Sequence, residues 1–147
     1  MRRLATALVL ALSACDGSDG GSPGVPANEL CPQLVDAVCD REEPCGTFPD
    51  REACVATASD AFDGCLLDVN AVASWEASYD GRAAANFLEA VRAGACGSDL
   101  PDFINQFRVF TPKLEAGAIC HSDVSCKAGL TCDDVTVADP QGLCTAI

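Results

Sequence analysis

The sequence predicts a mainly α fold, in which a small disulfide-stapled helical domain precedes a short disulfide-rich module of strands and loops. Three observations carry this. Apolar residues recur at helical spacing as far as Phe107, and that period is lost beyond it. Eleven cysteines lie in 147 residues, dense enough for a disulfide framework in an exported chain. Past Cys15 they divide into six and four around the gap between Cys96 and Cys120. The length suits one domain or two small ones. With 49% hydrophobic and 21% charged residues, the chain is not wholly disordered, a coiled coil, a collagen-like repeat or a multi-span membrane protein.

The helical domain is expected over residues 28–110. Asn28 can cap a first helix through Cys39, with Leu34, Val35 and Val38 on its apolar side and Pro32 in its first turn. Asp50 can cap a second over residues 51–67, where Cys54, Ala58, Ala61, Phe62 and Cys65 recur at helical spacing. A shorter helical stretch is expected over residues 71–78 and would carry Trp75. Asp80 caps a further helix whose Ala84, Phe87, Leu88 and Val91 share a face, and Gly94 stops it. Asp99 and Pro101 can open a last short helix through Phe103, Ile104 and Phe107.

Helix geometry prunes the pairings of the six cysteines. Cys31 and Cys39 stand about 12 Å apart along a helix and Cys54 and Cys65 about 16 Å, whereas a disulfide needs Cα atoms within about 7 Å. Folding the first two helices into an antiparallel hairpin brings Cys39 to Cys54 and Cys31 to Cys65. Cys45 in the connecting loop is then left for Cys96.

The second module, residues 111–147, carries Cys120, Cys126, Cys132 and Cys144 with the spacing C-x5-C-x5-C-x11-C. Gly117, Gly129 and Gly142 mark turns, so small strands or loops pinned by two bridges are expected. Four cysteines allow three pairings. From Cys120 through His121 and Cys126 to Cys132 the chain resembles the cysteine-rich module of Dickkopf N-terminal type. Similar modules occur in secreted cysteine-rich bacterial lipoproteins, myxobacterial ones especially, after an acidic helical segment. The resemblance covers about thirty residues and implies a fold rather than a signalling role. Dickkopf modules carry more than four cysteines, so no pairing transfers.

The N-terminus reads as an address. Arg2 and Arg3 precede an apolar run over residues 4–12, too short for a bilayer core that needs about 20 residues but suited to a secretory signal. The run ends in Leu12-Ser13-Ala14-Cys15, which resembles the lipobox of bacterial lipoproteins. That resemblance implies cleavage after residues 1–14, an acyl chain on the Cys15 sulfur and an acylated new amino group. An ordinary signal peptide cut before Ala14 is the alternative. Parity favours lipidation, because eleven is odd and removing Cys15 leaves ten. Residues 15–27, rich in Gly, Ser, Asp and Pro, read as a flexible tether.

Loss of Arg2 and Arg3 takes the formal charge from −13 to −15. That excludes nucleic acid as a partner and makes an anionic membrane surface repellent. The expected partners are the lipid bilayer, through the acyl anchor, and an envelope or extracellular protein. The expected location is the cell envelope, at the outer membrane or cell surface rather than the cytoplasmic membrane.

Candidate chemistry is sparse. Gly20-Gly21-Ser22-Pro23-Gly24 matches the serine-hydrolase elbow, but it falls in the tether and Pro23 opposes the helix that must follow. His121 is the single histidine and reads as an exposed loop residue with no serine or thiol to activate. Glu42 with Glu43, and Asp133 with Asp134, read as solvated loop charge. The aspartates of residues 132–140 lack the EF-hand register. No C-x-x-C pair supports zinc, a thioredoxin-like centre or a c-type haem, and no cofactor is called for. Trp75 and Tyr79, four apart, would share a helix face as core or as a binding surface. The resulting expectation is a non-catalytic envelope lipoprotein with a binding or structural role. A small secreted enzyme or protease inhibitor, and a thiol- or metal-handling protein, are the rivals.

Overall fold

The computed structural model describes residues 24–102, 105–136, 138–139 and 141–147. The signal segment, Cys15, the tether up to residue 23, the start of the serine-hydrolase-like motif, Phe103 and Ile104 lie outside the described residues.

Helix α1 (Ala27–Glu42) packs against the three other helices. Leu30, Leu34, Ala37, Val38 and Arg41 recur on its buried face. Its cap is Pro26 in an extended conformation rather than Asn28, which lies in the first turn. The reason is local pinning. The Val25 N–H donates to the Gly81 carbonyl (2.9 Å) and the Tyr79 hydroxyl donates to the Val25 carbonyl (3.0 Å), so the chain enters the helix early. Val25 is therefore buried, and the last residues assigned to the tether belong to the fold.

A 3-10 turn (Glu43–Cys45) leads to α2 (Arg51–Ala61), where Asp50 accepts the Ala53 N–H at 2.8 Å as expected. The single helix predicted over residues 51–67 breaks at Phe62, and α3 (Cys65–Ala73) starts after Gly64. The break has a geometric cause. Antiparallel neighbours bridged twice need equal spacing between the bridges, but eight residues of α1 rise about 12 Å and eleven of a straight α2 about 16 Å. Kinking the longer path brings Cys65 back to Cys31, with Cα atoms 5.9 Å apart. The other two pairs are Cys39–Cys54 and Cys45–Cys96, at 5.8 and 6.0 Å. All three are the pairs that the hairpin geometry predicts.

Residues 74–79 are not helical. Trp75 adopts a left-handed conformation (φ 63°) that ends α3, and β1 (Ala77–Tyr79) follows with Ala77 buried and Ser78 exposed. Helix α4 (Gly81–Ala93) is as predicted. The Asp80 carboxylate accepts the Arg82 and Ala83 N–H groups, Phe87, Leu88 and Val91 are buried, and Gly94 caps the end. No helix forms over described residues 99–102 or 105–109. Instead Asp102 accepts the Asn105 N–H at 2.8 Å and holds a turn.

β2 (Phe110–Pro112) pairs antiparallel with β1, setting Ala77 opposite Pro112 and Tyr79 opposite Phe110. β3 (Ile119–Cys120), β4 (Leu130–Asp133) and β5 (Gly142–Ala146) form a second antiparallel sheet in the order β3-β5-β4. The fold is thus mixed helix and sheet with five disulfides, rather than mainly α. Cys132 lies opposite Cys144 in the sheet, yet each bonds elsewhere, in Cys120–Cys132 and Cys126–Cys144. Phe87, Leu88 and Val91 of α4, Leu34 and Val38 of α1, and Val109 and Phe110 share one apolar cluster with Val124 of the C-terminal segment. No helix among the described residues is long and apolar enough to cross a membrane.

Candidate functional site

Polar chemistry inside the molecule concentrates where the C-terminal segment meets α3 and β1. The left-handed turn at Trp75 aims Glu76 inward, and its side chain is only 9% exposed. Its carboxylate accepts the His121 backbone N–H at 3.0 Å and the Ser125 hydroxyl at 2.7 Å. The Nδ1 of the His121 ring sits against the remaining oxygen. Eight residues earlier in the chain, Asp68 of α3 accepts the Ser122 hydroxyl. Ser122 also caps the 3-10 turn Asp123–Ser125 by accepting the Val124 N–H. Two carboxylates of one segment therefore hold three polar residues, His121, Ser122 and Ser125, within five positions of the other.

These carboxylates sit where unpaired charge would be costly. Burial pushes the Asp68 carboxyl up to about 6, the Ser122 hydroxyl opposes this, and the nearby charge of Asp123 adds to the rise. Tyr79, half-buried against Phe110, is pushed up to about 12, chiefly by burial and then by Asp80.

Several site expectations change. His121 is part-buried and engaged by Glu76, not a free loop residue. Glu42 is buried, whereas Glu43 is exposed as expected. The Gly97 backbone N–H, the Thr47 hydroxyl and Arg41 together hold the Glu42 carboxyl below its usual range. Asp133 and Asp134 are exposed. Trp75 and Tyr79 share no helix face. Trp75 is 83% exposed with the Lys113 ammonium 5.9 Å from its ring centre, while Tyr79 packs on Phe110 in the sheet.

All ten cysteines from Cys31 to Cys144 are in disulfides. The sulfurs of Cys120, Cys126 and Cys132 lie within 4.8 Å of one another because two bridges pack together. Each is already bonded to another sulfur, so none offers the thiolate a soft metal needs. Cys15 lies outside the described residues, as does part of the aspartate-rich loop (residues 137 and 140).

Comparison with protein-family models, with curated proteins and with solved structures finds no match to this chain.

Sequence reasoning passes over Asp68, Glu76, Ser122 and Ser125. Ser122 followed by Asp123 is a capping signal that could have been read. Glu76 carries none, since an acid within a stretch expected to be helical reads as solvated charge until the turn at residue 75 is known.

Proposed function

We propose that the chain is a lipid-anchored envelope protein with a non-catalytic binding or structural role. The observation that carries this is the cysteine count. Ten of the eleven cysteines are taken up in five disulfides, leaving Cys15, at the end of the Leu12-Ser13-Ala14-Cys15 sequence, as the thiol available for an acyl chain. Two or more acyl chains on one residue give durable attachment, where a single chain gives only marginal binding. The tether up to residue 23 would then present the body from the point where Val25 is pinned beside α4.

The non-catalytic reading draws support from what the polar residues already do. His121 and Ser125 both address the same Glu76 carboxylate, an arrangement that ties the single histidine into a structural network rather than onto a serine nucleophile.

Intact mass of the membrane-extracted protein, alkylated before and after reduction, tests the reading. The expected result is a chain starting at a lipidated Cys15, unmodified before reduction and carrying ten alkyl groups after it. An unlipidated soluble form would overturn the anchor. Thiols free in the native protein would move the thiol- or metal-handling alternative to the front.

A further inference from the structure

Where α2 breaks from α3, a cavity of about 170 Å³ opens between the helices and the residues leading into β2. Leu30, Leu34, Phe62, Phe87, Val109 and Phe110 contribute its wall, and Asp68 is the charged residue on it among the described residues. A carboxylate has about four acceptor positions. Ser122 occupies one at Oδ1, and no donor among the described residues serves Oδ2. Asp68 therefore brings spare acceptor capacity to the wall of a predominantly apolar space large enough for a small molecule. A cavity of about 150 Å³ accommodates a benzene ring.

We propose that this cavity binds a small organic ammonium with an apolar body of about one ring, its nitrogen on Asp68 and its body against Leu34, Phe87 and Phe110. An ammonium would supply the missing donors and compensate a carboxylate held against apolar surface, whose carboxyl burial has pushed up to about 6. Closing the cavity on a ring-sized body removes further apolar surface from water. The chain's formal charge of −13 also raises the local concentration of cations over that of anions. The inference rests on the binding role proposed above and names a ligand class for it.

Benzylamine is the probe, with toluene as its neutral counterpart, titrated into disulfide-intact protein and followed by two-dimensional NMR. The expected result is saturable shifts at Leu34, Phe87 and Val109, with toluene binding at least tenfold more weakly. Asp68→Asn, which keeps size and an acceptor for Ser122, is expected to weaken benzylamine at least tenfold and leave toluene unchanged. Ala61→Phe, at the exposed rim, is expected to weaken both, and Asp133→Asn, outside the cavity wall, neither. Absence of saturable benzylamine binding overturns the proposal, as does equal binding by the parent and Asp68→Asn. Toluene binding as tightly as benzylamine overturns the ammonium class. None of these results bears on the anchored reading, which fails separately if the native protein proves unlipidated.

Discussion

Gly81 opens α4 with the Val25 carbonyl so near that an added Cβ would lie 2.6 Å from its oxygen. Glycine to alanine in a helix ordinarily gains up to about 1 kcal/mol. Here the neighbour is backbone and cannot swing aside, and overpacking of this kind costs about 1–3 kcal/mol. Gly81→Ala is therefore expected to lower stability by about 1–2 kcal/mol, read as a lower denaturation midpoint. Asp68 sets a pH dependence. Its carboxyl stands at about 6 in the fold against 3.8 as a free side chain, so between those values the folded state holds the extra proton. Stability from this group falls as pH rises through that window and stays lower above it. Two pK units set a ceiling of about 3 kcal/mol, and partial solvent contact reduces it to about 2 kcal/mol. Asp68→Asn is expected to stabilise the protein by about that amount at pH 7.5 and by little near pH 3.5, in urea titrations at the two pH values. Glu42 runs the other way. Its lowered carboxyl adds stability at neutral pH that is lost as acid drops below the usual 4.5 and through the folded value.

Among the elements, the three disulfides of the helical segment differ most in the length of chain they close. Cys39–Cys54 spans 15 residues and Cys45–Cys96 spans 51. Restriction of the unfolded chain then assigns about 3 kcal/mol to the first and about 4 kcal/mol to the second. Calorimetry of the two double Cys→Ala variants is expected to rank them in that order, with Cys45/Cys96 the more damaging. That bridge also holds the loop whose Gly97 N–H reaches Glu42. A reversed order would mean that native packing around buried Cys39 and Cys54 outweighs loop closure. Helix α4 could be read in full because its cap, its apolar stripe and its stop lie within fifteen residues of sequence. The α2–α3 break was present in the sequence only as a ratio, eight residues between one pair of cysteines against eleven between their partners. It becomes visible once both bridges are imposed together.

At the scale of the whole molecule, the two cysteine sets stay separate as bonded networks while their segments share apolar and polar contacts. Val124 enters the cluster built on α1 and α4, and β2 spans residue 110, where composition divides the chain. The Lys113 and Leu114 N–H groups both donate to the Ser125 carbonyl, at 3.1 and 2.9 Å. Glu76 is the polar centre of this junction. Glu76→Ala would leave the His121 N–H and the Ser125 hydroxyl without their acceptor in a buried place, a loss of about 2–3 kcal/mol. Native-state hydrogen exchange is expected to show the His121 amide losing protection by about the same free energy, with the amides of α4 much less affected. Equal loss at α4 would mean that the segments open only together.

What the sequence by itself determined is local or combinatorial. Asp50 and Asp80 cap helices because a short acid before an apolar run meets the free N–H groups of the next turn whatever surrounds it. The nested pairing of Cys31, Cys39, Cys45, Cys54, Cys65 and Cys96 followed once helical rise excluded the in-helix pairs and the first two helices were folded into an antiparallel hairpin. The C-terminal four remained open among three pairings, since short strands carry no comparable ruler. Tertiary structure alone decided that Trp75 turns out of a helix, that Glu42 and Glu76 are buried, and that His121 is held. Glu42, Glu76 and His121 are each engaged by a partner 45 or more residues away, and Trp75 takes a left-handed backbone; no periodicity within a single segment encodes either feature.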